Sequence, residues 1–234
     1  MRVRRRRSRF WGIFFAVLIV ALAIFALFGY IIDRRVRTSP EYTAKKLLFV
    51  LKQDGNYSVV YIDSSKGSVR VVNFKDKEFL YDPQTGLTLT DSNMEKDIIF
   101  FKEVFGISSD YSYYLDLTGG NVLKFSREVL GRNVKDLFDL VNAMRLRKGN
   151  LFDSIRVNGL ASKFRLFSNI TGPALLKLMD AMSSYVVSEY SEVDTLTDHP
   201  VKIVVGKEKE KVLKRLYLTE ESKEKIRSFL HPGE

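Results

Sequence analysis

Residues 143–156 read AMRLRKGNLFDSIR and place Arg145, Arg147, Lys148 and Arg156 around a Gly-Asn turn, with Asp153 as the single acid among them. Guanidinium groups gathered in this way match pairs of phosphate oxygens and stabilise a leaving group on which negative charge accumulates. The same run also suits a solvated surface: charge runs mostly face water, and Asp153 and Arg156 have the i, i+3 spacing of a plain helix-surface pair. Two other places carry candidate chemistry. Lys75 and Asp76 follow the strand-like VRVVNF, and Asp54 precedes Gly55, as a hairpin turn asks. His199 and His231 are far apart with no metal-ligand spacing between them, and the chain has no cysteine. These counts disfavour a metal–histidine centre and a Ser-His-Asp triad, and they fit an exported chain that does without disulfides.

Whether the arginine turn meets an anion depends on where the chain lives. Phe10 to Ile32 reads FWGIFFAVLIVALAIFALFGYII without a charge, enough to cross a hydrocarbon core of about 30 Å. It exceeds the apolar core of a secretory signal, and no small-x-small cleavage site follows, so it is expected to be a retained signal-anchor. Arginines 2, 4, 5, 6, 7 and 9 precede it, while 34, 35 and 37 follow beside Asp33. The positive-inside bias then leaves the N-terminus in the cytoplasm and carries residues 38–234 across the membrane. The expected organisation is a cytoplasmic tail (1–9), a transmembrane anchor (10–32), a linker (33–45), an extracytoplasmic domain (46–206) and a C-terminal helical extension (207–234). The net charge of +10 is concentrated at the anchor: residues 1–37 hold 9 of the 38 Lys and Arg and 1 of the 28 Asp and Glu, leaving 29 against 27. A nearly neutral outer portion lacks the basic stripe of a nucleic-acid binder, so nucleic acid is not an expected partner.

The elements that must position the candidates are then read from the pattern. KLLFVL (46–51), YSVVYID (57–63) and VRVVNF (69–74) are expected as three strands joined by Asp54-Gly55-Asn56 and SSKGS turns. Ser92-x-x-Glu95 makes a capping box for a helix in which Ile98, Phe101 and Phe105 share a face before Gly106. SYYLDL (112–117) reads as a strand, followed by helices near 121–130 and 134–145. Apolar-periodic runs follow at 153–168 and 173–187, VKIVV (201–205) as a late strand, and a helix after Thr219 with Glu220 and Glu221 first and Lys225 and Arg227 later, the polarity the helix dipole favours. The mixture indicates an α/β (α+β) fold with a mixed central sheet flanked by helices.

This order of elements, with the arginine-rich turn, resembles the LytR-CpsA-Psr proteins of bacterial envelopes. GISSDYSYYLDLTGGNVLKFSREVLG (106–131) is similar to that family's G-I-x-I-D-Y-Y-x-x-V-D-F-x-G-F…L-V-D-x-L-G-G segment. VNAMRLRKGNLFDSIRVNG (141–159) is similar to its A-L-x-Y-V-R-x-R…D-x-x-R-x-x-R-Q segment, with Arg145 and Arg147 on the paired arginines, Asp153 on the acid and Arg156 on the next arginine. LLFVLKQD (47–54) and VRVVNFKDKEF (69–79) stand where the family has I-L-L-L-G-x-D and a strand ending in I-P-R-D-T. There are departures. Lys75 replaces the arginine of that last motif, Gly159 and Leu160 replace a final Arg-Gln, and Asn56-Tyr57-Ser58 lacks the acid of the family's S-D-T.

The resemblance implies binding of a polyprenyl pyrophosphate carrying a glycopolymer, and transfer of that polymer to a cell-wall acceptor in cell-wall biogenesis. Arg145 and Arg156 would be the catalytic residues of such a transferase. Lys75, Arg145, Arg147 and Arg156 would bind the pyrophosphate, with Lys75 offering only a point charge. Asp54 and Asp76 would hold Mg²⁺, which bridges such oxygens through one or two carboxylates. The lipid tail asks for an apolar groove, for which 98–105 and 160–178 are the candidate linings, although such runs equally make core. Two expectations stay open: retained transfer, or a member whose catalytic set has decayed into a binding or scaffolding module.

Overall fold

The computed structural model describes residues 4–77, 79–89, 93–150, 152–197, 201–204, 210–213 and 216–232. Helix α1 (Arg4–Arg37) is unbroken, and its part from Trp11 onward is long and apolar enough to cross a membrane, with its large apolar side chains turned outward. Trp11 and Tyr30 lie 19 residues apart, about 28 Å at the helical rise of 1.5 Å per residue. That is nearly the spacing of the two aromatic belts of a bilayer.

Residues 33–45, expected as a linker, are folded onto the domain. α1 continues through Arg37, and Ser39 caps a single helical turn, α2 (Pro40–Thr43), by accepting from the Tyr42 N–H at 3.3 Å. Val36 enters the core, while Arg37 Nη1 and the Tyr42 hydroxyl both donate to Asp180 Oδ2 at 2.8 Å.

The three expected strands form as β1 (Lys46–Gln53), β2 (Asn56–Asp63) and β3 (Ser68–Phe74). Their β-branched and aromatic residues suit a pleated surface, and both alternating sets are buried because helices cover both faces. A short strand, β4 (Leu80–Tyr81), precedes helix α3 (Met94–Phe105). Ser92 lies outside the described residues, and the side chain that caps α3 is Asn93, which accepts from the N–H groups of Glu95 and Lys96. Gly106 ends α3 at φ 65°, a left-handed position that glycine takes without Cβ strain.

Strand β5 (Tyr111–Asp116) leads to a helical layer of α4 (Asn121–Leu130), α5 (Leu137–Arg145), α6 (Asp153–Phe164) and α7 (Gly172–Ser184). The end of the 173–187 run is not helical: β6 (Val186–Tyr190) starts directly after α7. Strands β7 (Thr195–Thr197), β8 (Val201–Val204), β9 (Glu210–Leu213) and β10 (Leu216–Leu218) precede helix α8 (Glu220–Leu230), capped by Thr219. Val205 and His199 lie outside the described residues.

The central sheet has the order β5-β1-β2-β3-β6; β1 is parallel to β5 and antiparallel to β2, and β3 is antiparallel to β2 and parallel to β6. The C-terminal ends of β1, β3, β5 and β6 therefore share one edge. One apolar cluster lies between this sheet and α4–α7, including Phe49, Leu115, Phe125, Phe164 and Leu175; the other lies between the opposite face and α3 with α8, including Tyr57, Phe74, Phe101 and Ile226. Within the segment expected as an extension (207–234), the described residues from Leu216 onward pack on the domain. β10 pairs with β4 and β7, and Leu218, Ile226 and Leu230 are buried in the second cluster. Lys223 and Asp82 meet there at 3.0 Å, both at 0% exposure, with Gln84 Oε1 also accepting from Lys223 at 2.8 Å. Burial alone would raise the pKa of Asp82, but hydrogen bonds from Thr85 and Lys223 hold it below the ordinary carboxylate value.

Candidate functional site

The arginine turn is assembled by the end of α5, the start of α6 and the end of α4. Leu146 closes α5, and the chain then runs through Gly149 and Asn150 before α6 begins at Asp153. Asp153 uses both carboxylate oxygens: Oδ2 accepts from the Asn150 N–H at 2.8 Å, and Oδ1 pairs with Arg147 Nη2 at 2.6 Å. A carboxylate in the first turn of α6 also meets the positive end of the helix dipole. The pair is buried, with 10% of the Arg147 side chain and 6% of that of Asp153 exposed. Arg147 Nη1 is nevertheless shut off from water without a hydrogen-bond partner. A buried donor left in this way costs roughly 1–3 kcal/mol, more for a charged group, so the arrangement asks for an acceptor.

Arg147 and Asp153 line a cavity of about 260 Å³ with Arg127, Glu128, Arg132, Lys148, Asn150 and Arg156. Five cations thus face two acids. Glu128 is also engaged outward, because Lys163 donates to it at 2.7 Å, and this hydrogen bond holds its pKa below the ordinary value. The cavity supplies what an anion with several oxygens needs: guanidinium groups from three elements around one volume. Arg127 and Arg132 were not among the candidates read from the sequence. Their signal was present as SREVLGR (126–132), but only packing brings it beside 147–156.

The remaining candidates lie elsewhere. Arg145 does not line this cavity. Its Nη1 stands 3.5 Å from Glu189 Oε2 on β6, whose other oxygen accepts from Asn73 Nδ2 at 2.5 Å, and Asn73 Oδ1 accepts from buried Ser58 at 2.6 Å. This polar chain ties Arg145 to the C-terminal ends of β3 and β6. Lys75 and Asp76 are exposed just beyond β3. The Asp76 N–H donates to Asn56 Oδ1 and the Lys77 N–H to the Gly55 carbonyl, both at 3.0 Å, so this loop rests on the β1–β2 hairpin.

Asp54 at φ 47° and Gly55 at φ 80° form the two-residue turn of that hairpin, with Gln53 facing Asn56. Positive φ at both positions is the type I′ geometry that Asp-Gly favours, so the turn accounts for Asp54 without a metal. Asp54 and Asp76 are two exposed carboxylates on adjoining loops, enough to hold Mg²⁺ only together with ligand oxygens. Among the described residues no three or more His, Asp or Glu cluster as a metal set. The stripe of 98–105 is packed core beneath α8, and Leu160, Leu175 and Leu178 belong to the other cluster.

Fold and site together define a mixed α/β domain behind an apolar helix, with a cationic cavity on its helical layer. No protein-family model and no curated protein sequence matches the chain. Among solved structures, it is similar to YvhJ of Bacillus subtilis, described as a transcriptional regulator (12% identity, 80% of this chain and 95% of that one, TM-score 0.48), and to TagV of B. subtilis (12%, 80% and 95%, 0.47). A third is the LytR-CPS2A-Psr family protein YwtF (TagT) with bound octaprenyl pyrophosphate lipid (10%, 82% and 90%, 0.43). The last of these is described as a LytR-CPS2A-Psr family protein, and all three are at low identity.

Proposed function

We propose that this chain is a membrane-anchored extracytoplasmic protein of envelope assembly, and that it binds a polyprenyl-pyrophosphate-linked glycopolymer. One observation carries the reading: Arg147, nine-tenths buried and with one nitrogen unpartnered, stands in the wall of a cavity with four further cations. Pyrophosphate is the ligand class that the motif resemblance at 106–159 attaches to these arginines. Arg147 and Arg156 hold its oxygens, with Arg127, Arg132 and Lys148 around the rim. Arg145 and Lys75, the other expected pyrophosphate ligands, stand outside this cavity near the ends of β3 and β6 and would meet the ligand only there, with Asp54 and Asp76 kept as carboxylates for Mg²⁺. The apolar α1 supplies the anchor, with the N-terminus cytoplasmic.

Transfer to a cell-wall polymer asks for more than binding. The missing acid at Asn56-Tyr57-Ser58 and the turn role of Asp54 favour the binding or scaffolding reading over retained transferase activity. The test is binding of a short-chain polyprenyl pyrophosphate to the full chain in detergent, with and without Mg²⁺, beside Arg147→Met and an Arg145→Ala, Arg156→Ala double variant. Micromolar binding that Arg147→Met loses supports the cavity as the site. Equal binding by all three proteins would remove it. A transfer assay with a wall-polymer acceptor then separates enzyme from scaffold.

A further inference from the structure

We infer that Gly149, Asn150, Phe152 and Ile155, where the α5–α6 loop enters α6, form a membrane-contacting surface that seats the cationic cavity at the headgroup level of an anionic bilayer. This rests on the proposed anchoring through α1 and adds to it how the domain stands on the membrane.

The height of the loop is set where α6 meets α1. A Cβ built on Gly29 would stand 3.6 Å from Ile155 Cδ1, so Ile155 lies against α1 within the apolar run that ends at Ile32. Three residues of helix separate those levels, about 4.5 Å. Ser154 donates to Asp33 in the next turn, and Gly149 and Asn150 share a cavity of about 430 Å³ with Gly29, Tyr30, Asp33 and Arg37. The loop is therefore level with Tyr30, the aromatic residue that marks the outer interface of the span.

Its chemistry suits that level. Phe152 is 59% exposed beside the partly exposed Ile155, and Lys148 and Arg156 nearby in the chain are exposed, as are Arg34 and Arg35 at the end of α1. The nearby acids are already used: Asp33 pairs with Arg37, and Asp153 with Arg147. Aromatic and aliphatic side chains rimmed by cations are how peripheral segments enter the interface of anionic membranes. The placement is held, because Val36 is buried in the core and Arg37 and Tyr42 grip Asp180. Asn150 lines both this junction and the cationic cavity, so a lipid-borne anion reaches Arg147 without leaving the bilayer surface.

The chain has no cysteine, which allows single fluorescent labels. The full chain is reconstituted in phosphatidylcholine vesicles containing phosphatidylglycerol and lipids with brominated acyl chains. Labels are placed by Gly149→Cys, where a side chain meets nothing within 4 Å, Phe152→Cys, Leu166→Cys beyond the far end of α6, Lys96→Cys on α3 and Phe25→Cys within the span. The expected result is about twofold quenching at 149, 152 and 25, with none at 166 and 96, as for side chains roughly 5–10 Å into the interface. Phe152→Asp should remove the quenching at 149. Quenching at 25 alone would overturn the seated domain while leaving the anchor intact. No quenching at 25 would overturn both.

Discussion

Lys223 and Arg147 are both cations withdrawn from water beside a buried carboxylate, and the protein treats them differently. Lys223 is enclosed: Asp82 and Gln84 accept from its ammonium, Glu220 Oε1 stands 3.8 Å away, and Thr85 donates to Asp82. At 0% exposure the pair is out of reach of a ligand, and it closes the seam where α8 covers the 80–89 segment. Arg147 makes one strong contact to Asp153, keeps Nη1 unpartnered, and lines a cavity that further cations surround. Burial of a charge is therefore no sign of a binding site by itself. The sign is an adjoining volume, ringed by further cations, that can hold an acceptor.

The contrast is put under most strain at the closed pair. Lys223→Ala leaves Asp82 buried and unpaired and should cost about 3–5 kcal/mol, seen as a lower denaturant midpoint. The folded fraction should bind polyprenyl pyrophosphate as the parent does; loss of binding would mean that the two regions are not independent. Arg147→Met should show the reverse weighting. Ligand affinity should fall roughly 100-fold or more in a binding titration, whereas stability falls by about 1–3 kcal/mol because Asp153 keeps its bond from the Asn150 N–H.

Acid should separate the regions again. The folded pKa of Asp82 lies below its ordinary value, so its contribution is complete above the unfolded carboxylate value of about 3.9 and is lost as pH falls through the folded pKa. Urea midpoints measured from pH 6 downward should therefore drop below roughly pH 4, and the drop should be smaller in Asp82→Asn. Single changes of the other cavity arginines come next. Arg132→Gln or Arg156→Gln should weaken binding about three- to tenfold with no shift in melting temperature, and the salt dependence should flatten. The smallest effect is expected at Asp54. Asn keeps positive φ at low cost, so Asp54→Asn should change stability by less than about 0.5 kcal/mol. Were Mg²⁺-dependent binding to vanish in that variant, Asp54 would hold metal as well as turn the chain.

Much of the fold is legible because its signals are local. The strands at 46–74 announce themselves by alternation and by an Asp-Gly turn, α3 by the apolar spacing of Ile98, Phe101 and Phe105, although Asn93 rather than Ser92 caps it, and α8 by the charge order after Thr219. β6 is hidden because it follows α7 after a single residue, with no Gly or Pro to mark the change, and because it is an edge strand whose pairing partner lies more than a hundred residues earlier. Residues 33–45 read as a linker for a related reason: the buried contacts of Val36, Arg37 and Tyr42 are with residues far along the chain. At the site, the types are readable and the grouping is not. Arg147, Asp153 and Arg156 share one turn-and-helix segment, whereas Arg127 and Arg132 join them through packing of α4, and Arg145 turns away toward Glu189 although only two positions separate it from Arg147.

The apolar helix, the class of fold and the presence of an arginine-rich turn are written in the sequence, since periodicity, capping and charge act over a few residues. Tertiary structure alone decides which cations share a cavity, which are enclosed and how α1 meets α6. Those outcomes depend on contacts between distant segments, where the direction of a side chain and the satisfaction of each donor are set by the neighbours that packing brings.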